Sequence, residues 1–154
     1  MKKLSLVLSI AVGLAGCKMD DPTPGSKRGH VEWVKTAATG DVAAEVKAKR
    51  DELRKQKRNM LVYIGATWCE PCRRFHEAAE KGELDRDFPN LTLLEYDLDK
   101  DGTVLQSAGY APRYIPYFGV PGDDGRATDR SIEGSVKGDQ AVSYLTPKLK
   151  DLLR

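Results

Sequence analysis

The sequence predicts an α/β domain, a central mixed β-sheet flanked by helices on both faces. Strand-like and helix-like segments alternate along the chain and give way to a hairpin and a last helix. Met60, Leu61, Val62, Tyr63 and Ile64 form a continuous apolar run rich in β-branched and aromatic residues, as suits a strand covered on both faces. Ala141, Leu145, Leu149 and Leu152 recur at helical spacing and mark a final amphipathic helix. With 154 residues, 40% hydrophobic and 31% charged, the chain suits one globular domain, because two halves would each be too small to bury a good core.

That domain is expected over residues 31–154. Val31, Trp33 and Val34 suggest a short edge strand. Thr39, Gly40 and Asp41 read as a turn and helix cap before Val42, Val46 and Leu53 at helical spacing. Lys55, Lys57 and Arg58 suit the negative end of that helix, with Asn59 as its stop. The apolar run at 60–64 then delivers the chain to Trp68 and Cys69. A helix is expected over 72–81, interrupted at Gly82, with a turn at Pro89 and Asn90, a strand over 91–98 and a helix over 104–108. Strands at 117–120 and 128–132 flank a turn at 121–125. Pro147 should kink or restart the last helix, with Thr146 as a cap.

The first residues are different in kind. Lys2 and Lys3 precede an apolar run, 4–15, too short to cross a bilayer, the pattern of a signal peptide. Its end, Leu14-Ala15-Gly16-Cys17, resembles the lipobox of bacterial lipoproteins. The resemblance implies cleavage after residue 16 and a diacylglycerol on Cys17; an ordinary secretory signal is the alternative. Residues 17–30, with Asp20, Asp21, Pro22, Pro24, Gly25, Ser26 and Gly29, read as a flexible tether. Several acyl chains together give stable anchoring, so the protein is expected on a membrane of the cell envelope, facing the extracytoplasmic or periplasmic side. Lys18, where an aspartate would retain some lipoproteins at the inner membrane, points to the outer membrane.

Cleavage removes two lysines and no acids, taking the formal charge from +2 to zero, so no nucleic-acid partner is expected. Of three cysteines one goes to lipid, leaving Cys69 and Cys72 as a pair. Outside the cytoplasm a dithiol so spaced is redox-active or a metal clip.

Trp68-Cys69-Glu70-Pro71-Cys72, directly after a buried strand and opening a helix, resembles the active site of the thioredoxin superfamily. Ile115-Pro116, the hairpin after it and Gly134 before the last helix match the family in order, so the resemblance runs from about Val31 to the C-terminus and implies a thioredoxin fold. It implies Cys69 as nucleophile, at a helix start where free amides and the dipole lower a thiol pKa from about 8.5 to roughly 3.5–7.5. Cys72, one turn in, would resolve the mixed disulfide. Pro116 would be cis, Ile115 would offer backbone hydrogen bonds to a bound substrate strand, and Trp68 would border the dithiol. Pro71 costs little in a first turn.

Other readings stand beside this one. The pair could staple the fold, although so short a loop restrains the unfolded chain little. Cys69, Cys72, His76 and His30 could clip a metal, although His30 falls in the tether. Haem attachment needs histidine where Arg73 stands. Arg73 and Arg74 suit a solvated helix face, and either would favour the Cys69 thiolate; Glu70 disfavours it and is a candidate proton relay. Asp97, Asp99, Asp101 and Gly102 match half a calcium loop, but its twelfth position is Ala108, so the acids are better read as ending a strand and capping a helix.

The chain departs from thioredoxins at two places. Tyr63 stands six residues before Cys69, where they carry a buried aspartate, and Glu95 replaces a lysine that pairs with it. Glu70, Glu95 or water would then handle the proton of Cys72. The Cys-Glu-Pro-Cys tetrad resembles that of extracytoplasmic reductases of cytochrome c maturation, whereas residues 31–68 are closer in layout to periplasmic thioredoxin domains that relay reductant. Both are reductive systems, and isoleucine before the cis-proline leans the same way. The resemblance therefore implies a protein-disulfide reductase, needing no cofactor beyond its own disulfide, acting as a monomer on disulfides of envelope proteins and recharged by a membrane electron donor. A disulfide oxidase or isomerase, or a metal-binding lipoprotein, is the alternative.

Overall fold

The computed structural model describes residues 29–36, 38 and 40–154; the expected leader, Cys17 and the tether as far as Arg28 lie outside the described residues. In chain order the elements are β1 (Glu32–Lys35), α1 (Val42–Lys55), β2 (Asn59–Gly65), α2 (Glu70–Glu80), β3 (Leu91–Asp97), α3 (Leu98–Ser107), β4 (Tyr117–Pro121), β5 (Ala127–Glu133) and α4 (Ala141–Leu152), the last preceded by a 3-10 turn at Gly138–Gln140. The sheet order is β1-β3-β2-β4-β5. The first three strands run parallel; β4 is antiparallel to β2, and β5 to β4. This is the thioredoxin fold, a five-stranded mixed sheet with four helices.

The two-residue period of β2 divides the core. Met60, Val62 and Ile64 face one side, with Val42, Val46 and Leu53 of α1 and Leu105 of α3. Leu61 and Tyr63 face the other, with Phe75, Ala78 and Ala79 of α2 and Leu145 and Leu149 of α4. A strand buried on both faces needs an unbroken apolar run, which is what residues 60–64 supply.

Helix ends account for most departures from the sequence expectation. The Asp41 carboxylate caps α1 by accepting from the Ala44 amide at 3.0 Å. The helix closes at Lys55, earlier than the expected stop at Asn59, because Lys57 takes a left-handed φ of 58° and Asn59 already begins β2. Helix α3 starts at Leu98, six residues before the expected 104. The Asp97 carboxylate accepts from the amides of Asp99 and Lys100 at 3.0 and 3.2 Å and so ends β3 and opens the helix at once.

Helix α4 neither stops nor restarts at Pro147, which lies inside it. Thr146 is not a cap: its hydroxyl donates back to the Val142 carbonyl at 2.8 Å. An interior proline costs about 3 kcal/mol, whereas each fully buried leucine stabilises by about 1.5–3 kcal/mol, so Leu145 and Leu149 together with Leu152 carry the helix through.

At the end of the expected tether, Gly29 lies so close to Pro89 that a Cβ there would collide with its carbonyl. The next carbonyl, of His30, accepts from Arg58 at 3.0 Å, and the Val31 amide donates to Asp85 at 3.1 Å.

Candidate active site

The dithiol stands where β2 hands the chain to α2. Cys69 is the N-cap of α2, and its sulfur accepts from the Cys72 amide at 3.3 Å. That capping bond draws the helix start to Glu70, two residues before the expected 72. Cys69 and Cys72 are joined as a disulfide, with Cα atoms 5.2 Å apart, and are only 4% and 3% exposed. On reduction the same amide and the N-terminal end of the helix dipole are placed to stabilise a thiolate on Cys69.

The front of the pair is open. Trp68 is 63% exposed, its indole N–H donating to Asp99 at 2.9 Å. Across from it runs the Ile115–Pro116 loop, whose peptide bond is cis. Tyr114, before it, is 67% exposed. Glu133 fastens this loop by accepting from the amides of Arg113 and Tyr114 at 3.0 and 3.3 Å, and the Gly134 amide donates to the Pro116 carbonyl at 2.9 Å. Gly134 adopts φ +71°, where glycine is favoured, with Tyr114 packed against it.

Glu70, between the cysteines, has both oxygens engaged. One accepts from Arg74 and the other from the Gly138 amide at 3.2 Å, and Arg74 continues to Asp139 at 2.7 Å. The Arg74 hydrogen bond, reinforced by the Gly138 amide, holds the Glu70 carboxyl below its ordinary value. Of the two arginines after Cys72, Arg74 is thus tied to Glu70 and Asp139, while Arg73 borders the cavity behind the disulfide.

That cavity, about 540 Å³, is shared by Cys72, Tyr63, His76, Glu95 and Lys35. Tyr63 and Glu95 sit side by side in the register of β2 and β3. His76 Nε2 lies 2.7 Å from Glu95 Oε1, and the imidazole stacks on Trp33 with ring centres 3.6 Å apart. Among the described residues the Tyr63 hydroxyl and Glu95 Oε2 are buried without a hydrogen-bond partner, as is Trp33 Nε1 in the same wall. A buried polar atom left unpaired costs about 1–3 kcal/mol. Burial, and secondarily the charge of Glu95, raises the Tyr63 phenol well above its ordinary value, so it stays protonated.

The structure brings Trp68, Cys69, Cys72, Ile115 and Pro116 to one end of the sheet. It keeps His30 at the start of β1, where its carbonyl is held by Arg58, and commits His76 to Glu95. Among the described residues no group of three or more histidine, cysteine or acidic side chains is arranged to hold a metal ion. Asp97 and Asp101 serve the β3–α3 junction, Asp101 accepting from the Asp97 amide at 2.9 Å and the Ala38 amide at 3.3 Å. Sequence reasoning missed two partnerships: His76 with Glu95, and Glu133 with the cis-proline loop. The first had a signal, since His76 follows Cys72 by four positions and shares its helix face. The second joins residues about twenty apart through a hairpin, with no periodicity to betray it.

Comparison with known proteins identifies the family. Among solved structures, thioredoxin O1 from Arabidopsis thaliana in the oxidized state is similar at 19% identity, covering 82% of this chain and 100% of its own, with a TM-score of 0.50. Thioredoxin NaTrxh from Nicotiana alata is similar at 16% identity, covering 84% and 100%, with a TM-score of 0.49. At such identities the likeness speaks to the fold alone. No curated protein matches the sequence. A family model described as thioredoxin-like matches residues 41–118, from the cap of α1 through the dithiol to β4, just over half of the sequence. The chain belongs to the thioredoxin-like family, with Cys69 and Cys72 as its redox pair.

Proposed function

We propose that this protein is an extracytoplasmic protein-disulfide reductase, held on a membrane of the cell envelope, the outer one by preference, through lipid on Cys17. The observation that carries the redox reading is the Cys69–Cys72 disulfide at the start of α2, with the Cys69 sulfur on the Cys72 amide and an open surface before it. In the reduced form the Cys69 thiolate attacks a substrate disulfide and displaces one substrate thiolate. Cys72 then attacks the Cys69 sulfur, releasing the second thiolate and closing the disulfide. Ile115, beside the sulfurs, offers its backbone to an extended substrate strand, and Trp68 and Tyr114 flank the approach. A membrane electron donor returns two electrons to the pair. The reductive direction is supported by the tetrad and by isoleucine before Pro116, and the anchor by the Leu14-Ala15-Gly16-Cys17 sequence.

One experiment tests both parts: the full chain is fractionated with membranes and its dithiol equilibrated against redox buffers. A potential near about −270 mV, with membrane partition lost on Cys17→Ser, is the expected result; a potential near about −120 mV would identify an oxidase, and unchanged partition would remove the anchor.

A further inference from the structure

Cys72 cannot resolve a mixed disulfide as a thiol, and it is buried but for the cavity it lines. Some group must take its proton. Tyr63, in the place of the family's aspartate, is a protonated phenol. Both oxygens of Glu70 are engaged, by Arg74 and the Gly138 amide. Glu95 differs: Oε1 is held by His76, while Oε2 is buried without a hydrogen-bond partner among the described residues, and the residue lines the cavity that Cys72 also lines.

The geometry points to Glu95 as the proton acceptor for Cys72 through water in this cavity, with His76 as the positioning residue that aims it. The inference rests on the reading of Cys72 as the resolving thiol. A water needs only about 10–15 Å³ of accessible space and two to four polar partners; the cavity has ample room, and it is lined by Tyr63 and Glu95, whose hydroxyl and Oε2 would each gain a partner by a small turn toward such a water. His76 cannot swing freely, because its ring lies flat on Trp33, 14° from parallel, with Tyr63 edge-on to it. Its Nε2–H therefore steadies Oε1 and leaves Oε2 to the proton. Tyr63 reaches toward the dithiol end of β2 because Gly65 has no Cβ; one there would meet the hydroxyl. The charged groups facing the pair are Lys35 from β1, Arg73 and Glu77 from α2, and Asp97, Lys100 and Asp101 around the junction of β3 and α3.

The Cys72 S–H bond breaks, and its proton passes by water to Glu95 Oε2. The electron pair left on Cys72 forms the bond to Cys69, and the bond from Cys69 to substrate breaks with its pair on the departing sulfur. Cys72 is oxidised, the departing substrate sulfur is reduced to a thiolate, Cys69 passes from one disulfide to another without change of oxidation state, and the proton leaves Glu95 for bulk water through the cavity mouth.

The test uses the full reduced chain with oxidised glutathione, following each step by rapid mixing. In a Cys72→Ser background only the attack of Cys69 is seen; with Cys72 present, so is resolution. Glu95→Gln should leave the first step unchanged and slow resolution by about a hundredfold near about pH 6, the deficit fading as pH rises past about 8.5, where a thiol ionises unaided. His76→Gln, which keeps a donor to Glu95, should slow resolution by about tenfold with the same pH trend. Resolution at the wild-type rate in Glu95→Gln, or equal slowing of both steps at every pH, would overturn the assignment. Should Cys72→Ser take up no glutathione at Cys69, the oxidoreductase reading itself falls, and this inference with it.

Discussion

The two sides of the disulfide are built differently. In front, Trp68 and Tyr114 are exposed and held by a few polar contacts, the Trp68 indole to Asp99 and the Tyr114 amide to Glu133. Behind, Phe75 and Phe118 pack ring on ring with Tyr63 and Trp33, centres 5.0–6.2 Å apart, around the His76–Glu95 pair. An exposed aromatic lends recognition at little cost to the fold, whereas a buried one belongs to the core and to the chemistry beside it. The front can therefore vary with the substrate; the aromatic rings behind cannot be truncated without disturbing the domain.

Substitutions on the two sides should behave differently. Phe118→Ala, at the centre of the rear wall, should lower unfolding free energy by about 3–5 kcal/mol in a urea titration, because the truncated ring leaves a cavity between Tyr63 and Phe75. Trp68→Ala should do the opposite: stability within about 0.5 kcal/mol of wild type, and reduction of a protein disulfide about tenfold slower while a small disulfide is spared. A large stability loss there would erase the distinction. The smallest effect is expected at Glu70, whose folded pKa is depressed below the ordinary 4.5 by Arg74. A depressed carboxyl stabilises the fold above its unfolded value and loses that contribution as pH falls through the folded one. The melting-temperature advantage of wild type over Glu70→Gln should thus be present at neutral pH and vanish below about 4.5; an advantage that persisted in acid would place the effect elsewhere.

The same contrast describes what could be read without coordinates. Residues 60–64 announced a two-faced central strand, and Cys69 and Cys72 announced a redox pair at a helix start, because both are local patterns. For helix α3 the acids at its start read correctly as ending a strand and capping a helix, but the expected span of 104–108 is too short, because the apolar spacing begins only at Val104 while the Asp97 cap opens the helix at Leu98. Pro147 looked like a break, because a local rule cannot weigh the leucines that hold α4 against the sheet. For His76 the sequence offers only a place in the alternative metal clip; Trp33 and Glu95, which claim it, come from β1 and β3, far away in sequence.

By itself the sequence determined the alternation of strands and helices, the dithiol and its place after a buried strand, because hydrophobic period, capping and cysteine spacing act between near neighbours. Three-dimensional packing settles which carboxylate has both oxygens engaged and which keeps an unpartnered oxygen on the wall of the cavity shared with Cys72. Glu70 finds Arg74 on its own helix and Gly138 across the site, while Glu95 is brought to His76 by the parallel pairing of β2 and β3 beneath α2. The physical reason is that a buried polar group takes whatever partner packing sets beside it, and packing joins residues that the chain keeps apart.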